Sequence, residues 1–468
     1  MTSSTPSRTT VPTAAGERWS PALWGLLFVL AGNMLIDALE VSVALVALPA
    51  IGDDLGLAVP QAQWVVSGFA VGFGGLLLFG SRLVTLLGRR PVYLAALLLF
   101  AAASLAGAAA SGGPLLIGTR LVKGCCAALT APTGLAIILA VFPEGPARGR
   151  AVSVYSFFGA AGFSAGLLLS GLLTEVSWRW AFAFPAPVVL LLFAAGLRLI
   201  PRDAPAGART GRYGVPSALG LTGATLLLVY AIASVPATGW QHPRTIGAFV
   251  LAALLAVVYV RGELTSDKPL SHLDLLARGP LVRSAVGAAA LNGSYLGLLL
   301  LSTLHLQQRA GFGPLQTGLA FLPASVPLAL TALHSGRVAA RFGPARLIAA
   351  GAAAAPASYL LYPRDAPAQV RYATDVLPTM LLVGLAFVLA FAAFHLQATG
   401  SVPAPRQAEA SGLYQTAVQL GAALMVALTS ALYGVGHGPA LWLVTAVGLF
   451  GFLVALSGLL PRPARGAG

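Results

Sequence analysis

The chain has 468 residues, 57% of them apolar and only 9% charged, with a mean hydropathy of +0.84. A soluble domain carries about 25% charged residues, so a water-soluble enzyme is excluded and an all-helical polytopic membrane protein is expected. The formal charge of +14 is scattered as single Arg residues between apolar runs and forms no basic patch, which argues against a nucleic-acid partner.

Residues 1–21 are rich in Ser, Thr and Pro and are expected to form a disordered tail. The apolar run that follows is too long and too acidic for a signal peptide, so no cleavage is expected. Apolar runs fall near 22–50, 62–86, 91–111, 114–141, 151–174 and 180–200, then near 215–235 and 244–261. Six more lie near 281–308, 314–339, 345–362, 375–400, 407–434 and 439–460, which predicts fourteen spans. The expected organisation is a tail (1–21), a six-helix bundle (22–200), a linker with two extra spans (201–280), a second six-helix bundle (281–460) and a short tail (461–468). Cys125 and Cys126 are neighbours within one span and point different ways, so neither a disulfide framework nor a metal-ligand cluster is expected.

With the N-terminus cytoplasmic, most of the 28 Lys and Arg residues fall in cytoplasmic loops. Only Arg179, Arg244, Arg309, Arg364 and Arg371 fall outside, and Arg120 and Lys123 lie inside a span. A miscounted span would invert every later loop and destroy that bias. Both termini are therefore expected on the cytoplasmic side of the cell membrane.

The first span carries Asn33, Asp37 and Glu40 on one helix face. A carboxylate at bilayer depth costs about 3 kcal/mol, so such groups face a protein interior and usually serve function. A structural ion pair between helices is the plainer explanation. Arg120 and Lys123, three residues apart, share a face of the fourth span. After the second span comes Ser81 to Arg90, with Gly88, Arg89 and Arg90. After the second span beyond the middle pair comes Gly336 to Arg346, with Gly336, Arg337, Arg341 and Gly343. This internal repeat implies two bundles related by an axis along the membrane normal.

These stretches together resemble the major facilitator superfamily, in its fourteen-span drug:proton antiporter branch. Leu39 to Pro49 is similar to the branch's first-span pattern, with Glu40 at its acidic position, Ser42 for Thr and Leu45 for Asn; Asp37 is an additional acid. Ser81 to Arg90 is similar to the loop motif between the second and third spans, with Thr85 in place of an Asp that helps lock cytoplasmic helix ends. Arg120 to Ala127 is similar to the fourth-span pattern, with Lys123 for Gln. Gly162, Gly166, Ser170 and Gly171 follow the fifth-span antiporter motif, with Leu167 for its Pro and Ser170 for a Gly. Ser177 to Phe182 contains the branch's Trp-Arg-Trp stretch, whose indoles suit an interface belt.

The resemblance implies proton-coupled export of drugs, antibiotics or similar amphipathic molecules by alternating access, with the fourth span beside the first. Asp37 and Glu40 are then the titrating acids and Arg120 and Lys123 their counter-charges. A substrate cavity near the midplane would involve Asn33, Asn292, Gln307 and His395, although for polar span residues such as Asn292, His395, Gln415 and Gln419 an interhelical hydrogen bond is the favoured role. No nucleotide-binding loop is present in the sequence, so ATP-driven pumping and enzymatic activity are not expected. The expected partners are a small-molecule substrate, protons and lipid, without cofactor or metal, for a chain working as a monomer. An importer of a nutrient or organic anion, with Arg120 and Lys123 as its clamp, and a non-transporting membrane sensor are the alternatives.

Overall fold

A computed structural model describes residues 19–202, 215–265, 273–332 and 335–459. The tail expected at 1–21 and the tail at 461–468 lie mostly or wholly outside these residues, as do 203–214 and 266–272 of the linker.

Helix α1 (Pro21–Leu55) starts where Ser20 accepts a hydrogen bond from the Leu23 amide and Pro21 occupies the first turn. It stops at Gly56, which takes the left-handed conformation at φ 63°. Helices α2 (Trp64–Leu87), α3 (Arg89–Ala108), α4 (Gly113–Val141) and α5 (Pro146–Thr174) follow. Helix α6 (Trp178–Leu199) then completes the first bundle. A pair, α7 (Val215–Thr238) and α8 (Pro243–Thr265), connects it to the second bundle. That bundle comprises α9 (Gly279–Leu304), α10 (Pro314–Ala332), α11 (Pro344–Leu361), α12 (Leu377–Gly400), α13 (Gln407–Tyr433) and α14 (His437–Leu456).

Among the described residues, twelve of these helices are long and apolar enough to cross a membrane. The other two, α7 with its apolar stretch Leu219–Val235 and the Ala-rich α11, occupy the remaining places in the expected order. Many large apolar side chains face outward, among them Leu191, Val250, Leu254 and Val257, which lipid accommodates and water would not.

The repeated loop is a structural repeat. Gly88 caps α3 at φ 92° and ψ 157°, and Gly343 caps α11 at φ 80° and ψ 139°. That region of backbone space is open essentially to glycine alone. The side chains of Ser81, Arg82, Thr85 and Arg337 lie outside the described residues. Arg90 donates to the Leu197 carbonyl at 2.6 Å, tying α3 to α6 within one bundle, and Arg341 lies over the Phe342 ring.

The two bundles meet along two seams, α5 against α10 and α2 against α13, and α7 lies along α2 and α13. The Trp-Arg-Trp stretch differs from expectation. Trp180 is exposed as a belt residue should be, but Trp178 is buried and its indole N–H donates to Asp54 at 3.0 Å. Asp54, at the end of α1, also takes an ion pair from Arg179 at 2.6 Å, so the stretch fastens α6 to α1.

Candidate functional site

Among the described residues, the first bundle buries two acidic and two basic side chains in its spans. Asp37 and Glu40 project from α1, Arg120 and Lys123 from α4, and each is at most 1% exposed. Uncompensated charges in such a place would cost several kcal/mol each, so the partners decide what the cluster is.

Glu40 takes both bases. Its Oε2 is paired with the Arg120 guanidinium, and its Oε1 lies 2.5 Å from Lys123 Nζ. Arg120 also donates to the Glu40 carbonyl at 2.7 Å and to the Val65 carbonyl of α2 at 2.6 Å. Aromatic faces enclose the two cations. The Arg120 guanidinium lies 4.9 Å from the Phe69 ring centre and Lys123 Nζ lies 4.9 Å from that of Phe100. Phe182 is 5.7 Å from each. Such contacts are stronger when desolvated.

Asp37 is separated from this cage. Its Oδ2 accepts from Asn33 Nδ2 at 2.9 Å and from Thr130 Oγ1 at 2.7 Å, while Oδ1 has no hydrogen-bond partner. Asp37 and Glu40 therefore do not share the bases equally, as the sequence pattern alone would allow. One acid sits between two cations; the other sits among neutral donors with a free oxygen. Thr130 was not singled out from the sequence, although it lies seven residues, or two turns, beyond Lys123 on the same face of α4.

The antiporter-motif residues hold α1 in place. A Cβ at Gly162 would collide with the Leu35 carbonyl and Ala38, and one at Gly166 with Ser42 Oγ and the Leu39 carbonyl. Ser42 donates to Phe163 O at 2.8 Å and Ser170 to Val43 O at 2.6 Å. Gly171 faces the opposite bundle, with Pro314 O 2.8 Å from where a Cβ would stand. The motif thus packs α5 between α1 and α10.

Between the bundles lies a narrow cavity with room for about one water molecule. It is lined by Val41 of α1, Val66, Ser67, Phe69 and Ala70 of α2, Leu296 of α9, and Gln419, Ala422 and Val426 of α13. None of the four polar residues expected from the sequence to form the cavity is in this lining. Asn33 is spent on Asp37. His395 packs on the Tyr414 ring, with 5.2 Å between ring centres. Asn292, partly buried, lies one turn before Leu296 on α9. Gln307 crosses the seam instead, donating to the Val46 carbonyl at 2.9 Å. Close by, Glu175 accepts from the Leu315 amide at 3.0 Å, so two polar contacts join the bundles at the end where α1 finishes. Gln419, a polar span residue for which a helix-to-helix bond was the favoured role, does line the cavity.

Two membrane-spanning bundles, a cavity on their shared seam and a buried charge cluster against that cavity define a secondary transporter fold. The chain matches the Major Facilitator Superfamily over residues 30–426 and belongs to that family. It is a multi-pass membrane transporter with a small-molecule substrate, not an enzyme. It is 34% identical over 452 residues to a puromycin resistance protein of Streptomyces alboniger, covering 94% of this chain and 88% of that protein. It is 32% identical over 464 residues to a lincomycin resistance protein of Streptomyces lincolnensis, covering 94% and 92%. Among solved structures it resembles the human organic anion transporter MFSD10, with a TM-score of 0.63 at 17% identity, covering 93% of this chain and all of that one. That last likeness concerns the fold alone.

Proposed function

We propose that this protein exports antibiotics or similar amphipathic molecules across the cell membrane in exchange for protons. The observation that carries this is the buried cluster of Glu40, Arg120 and Lys123, with Asp37 one turn away, abutting the cavity through Phe69. With all four groups ionised the cluster is neutral. Taking up or losing one proton leaves a net charge in a medium that penalises it, which links protonation to conformation. The resistance and export proteins among its relatives support the direction and the drug-like substrate.

Both termini lie in the cytoplasm, because that orientation gathers most Lys and Arg on the inner side. The contacts Gln307–Val46 and Glu175–Leu315 then close the outer end. Turnover breaks them and opens the cavity outward. The chain acts as a monomer, the cavity being formed between its own two bundles, and is driven by the proton gradient without a cofactor or a nucleic-acid partner. Moving one net charge down about 150 mV supplies roughly 3.5 kcal/mol, a gradient of about 300-fold. The importer alternative loses support because Arg120 and Lys123 are both engaged by Glu40 and do not line the cavity.

Everted membrane vesicles test this with puromycin, lincomycin and ethidium as probes. Accumulation should follow an imposed acid-inside gradient and collapse when an ionophore dissipates it. Accumulation unaffected by that collapse contradicts proton exchange, and movement of none of the three probes contradicts drug export.

A further inference from the structure

We propose that Phe69 is the positioning residue through which an occupant of the cavity acts on the Arg120–Glu40 pair. This rests on the proton-linked export proposed above and names the side chain that joins its two halves. Phe69 is 1% exposed and belongs to two environments: it lines the cavity, and the Arg120 guanidinium lies 4.9 Å from the centre of its ring. No other residue lining that cavity touches either cation through an aromatic face.

The backbone around it has little freedom to absorb a push. Gly124 of α4 packs so closely on α2 that a Cβ there would meet the Phe69 carbonyl, and Gly72 of α2 packs likewise on the Leu121 carbonyl. Arg120 is also bonded to Val65, one turn before Phe69 on the same helix. In this closed arrangement the cavity has room for about one water molecule, far below the range of about 300–1,000 Å³ for ligand sites. A drug-sized occupant must therefore displace a wall, and Phe69 is the lining residue that carries a charge behind it. Moving its ring removes the aromatic face from the guanidinium and alters its hold on Glu40. The other ionisable groups around the two acids are Lys123 and Cys126 on α4, Tyr93 on α3 and Tyr155 on α5, and none of them lines the cavity.

The test uses purified protein in proteoliposomes, with ethidium and puromycin as probes and two rates measured for each. One is probe exchange without a proton gradient; the other is accumulation driven by a pH difference. Phe69→Leu, which keeps apolar bulk and loses the ring face, should lower the ratio of driven accumulation to exchange about tenfold or more. Phe69→Tyr and Phe69→Trp, which keep a ring face, should retain driven accumulation. An unchanged ratio of driven to exchange rate in Phe69→Leu overturns the proposal. So does an equal loss of both rates, which would make Phe69 an ordinary cavity contact. Should Phe69→Leu not fold, Phe69→Met and Phe69→Trp give the same contrast. A wild-type protein that exchanges neither probe contradicts drug export itself, and is thereby distinguished from a failure of the Phe69 link.

Discussion

The two bundles repeat one architecture yet differ in what they bury. Helices α1 and α4 of the first hold two acids and two bases, all at most 1% exposed. The second, among the described residues, buries no Asp, Glu, Lys or Arg in its spans. Its interior is supplied with Ser294, Ser358, Thr379 and His305, and it meets the first bundle with Tyr295, Phe387 and Gln419. A repeated fold needs equivalent helices but not equivalent chemistry. Charge handling is concentrated on one side of the seam and a neutral, aromatic wall stands on the other.

Removing a base from the first bundle should break this contrast most severely. Arg120→Ala leaves Glu40 with Lys123 alone and frees the Val65 and Glu40 carbonyls that Arg120 bonds. Loss of one partner from a buried pair costs about 3–5 kcal/mol. The variant should show a clearly lowered thermal midpoint in detergent and no proton-driven accumulation. Lys123→Gln should be milder, since it keeps the Arg120–Glu40 pair. A midpoint for Arg120→Ala equal to wild type would mean the cluster is hydrated, not buried.

Next in size are the close contacts that fix α1. Gly166→Leu forces a side chain into Ser42 and the Leu39 carbonyl. Overpacking costs about 1–3 kcal/mol, so transport and thermal midpoint should fall together. Gly118→Ala, where a Cβ meets nothing within 4 Å, is the matched control and should leave both unchanged. Equal behaviour of the two variants would remove the packing role assigned to the antiporter motif.

The smallest effect concerns the polar contacts across the seam. Gln307→Leu deletes one hydrogen bond, worth about 1 kcal/mol, and should shift the population toward the outward-open state about fivefold. A cysteine placed at Leu306, which is fully buried at that end, reports this by its labelling rate with an impermeant thiol reagent, in a background lacking Cys125 and Cys126. No change in rate would mean that the Gln307 contact does not hold the outer end closed.

Much of this contrast is legible in the sequence because charge inside an apolar run is rare and expensive. Asp37, Glu40, Arg120 and Lys123 stand out for that reason, and their three-residue spacings place each pair on one helix face. The loop glycines Gly88 and Gly343 stand out because the motif repeats. What the sequence conceals is which acid meets which base. Asp37 and Glu40 differ by three positions on one stripe, and only the placement of Thr130 and Lys123 across α1 separates them. The cavity is concealed for the opposite reason. Its wall is mainly Val, Phe, Leu and Ala, indistinguishable in a sequence from lipid-facing or core residues. Asn33 and Gln307 are polar span residues as a cavity would need, and each donates a hydrogen bond elsewhere, Asn33 to Asp37 and Gln307 to the Val46 carbonyl.

The claim that the first bundle alone exchanges the proton is tested most directly by drug-induced proton release. Purified protein in weakly buffered detergent solution is titrated with puromycin while an indicator dye follows pH. The wild type should release protons on drug binding, and Asp37→Asn combined with Glu40→Gln should bind drug and release none. Undiminished proton release from that double variant would mean that neither Asp37 nor Glu40 is the exchanging group and contradict the account.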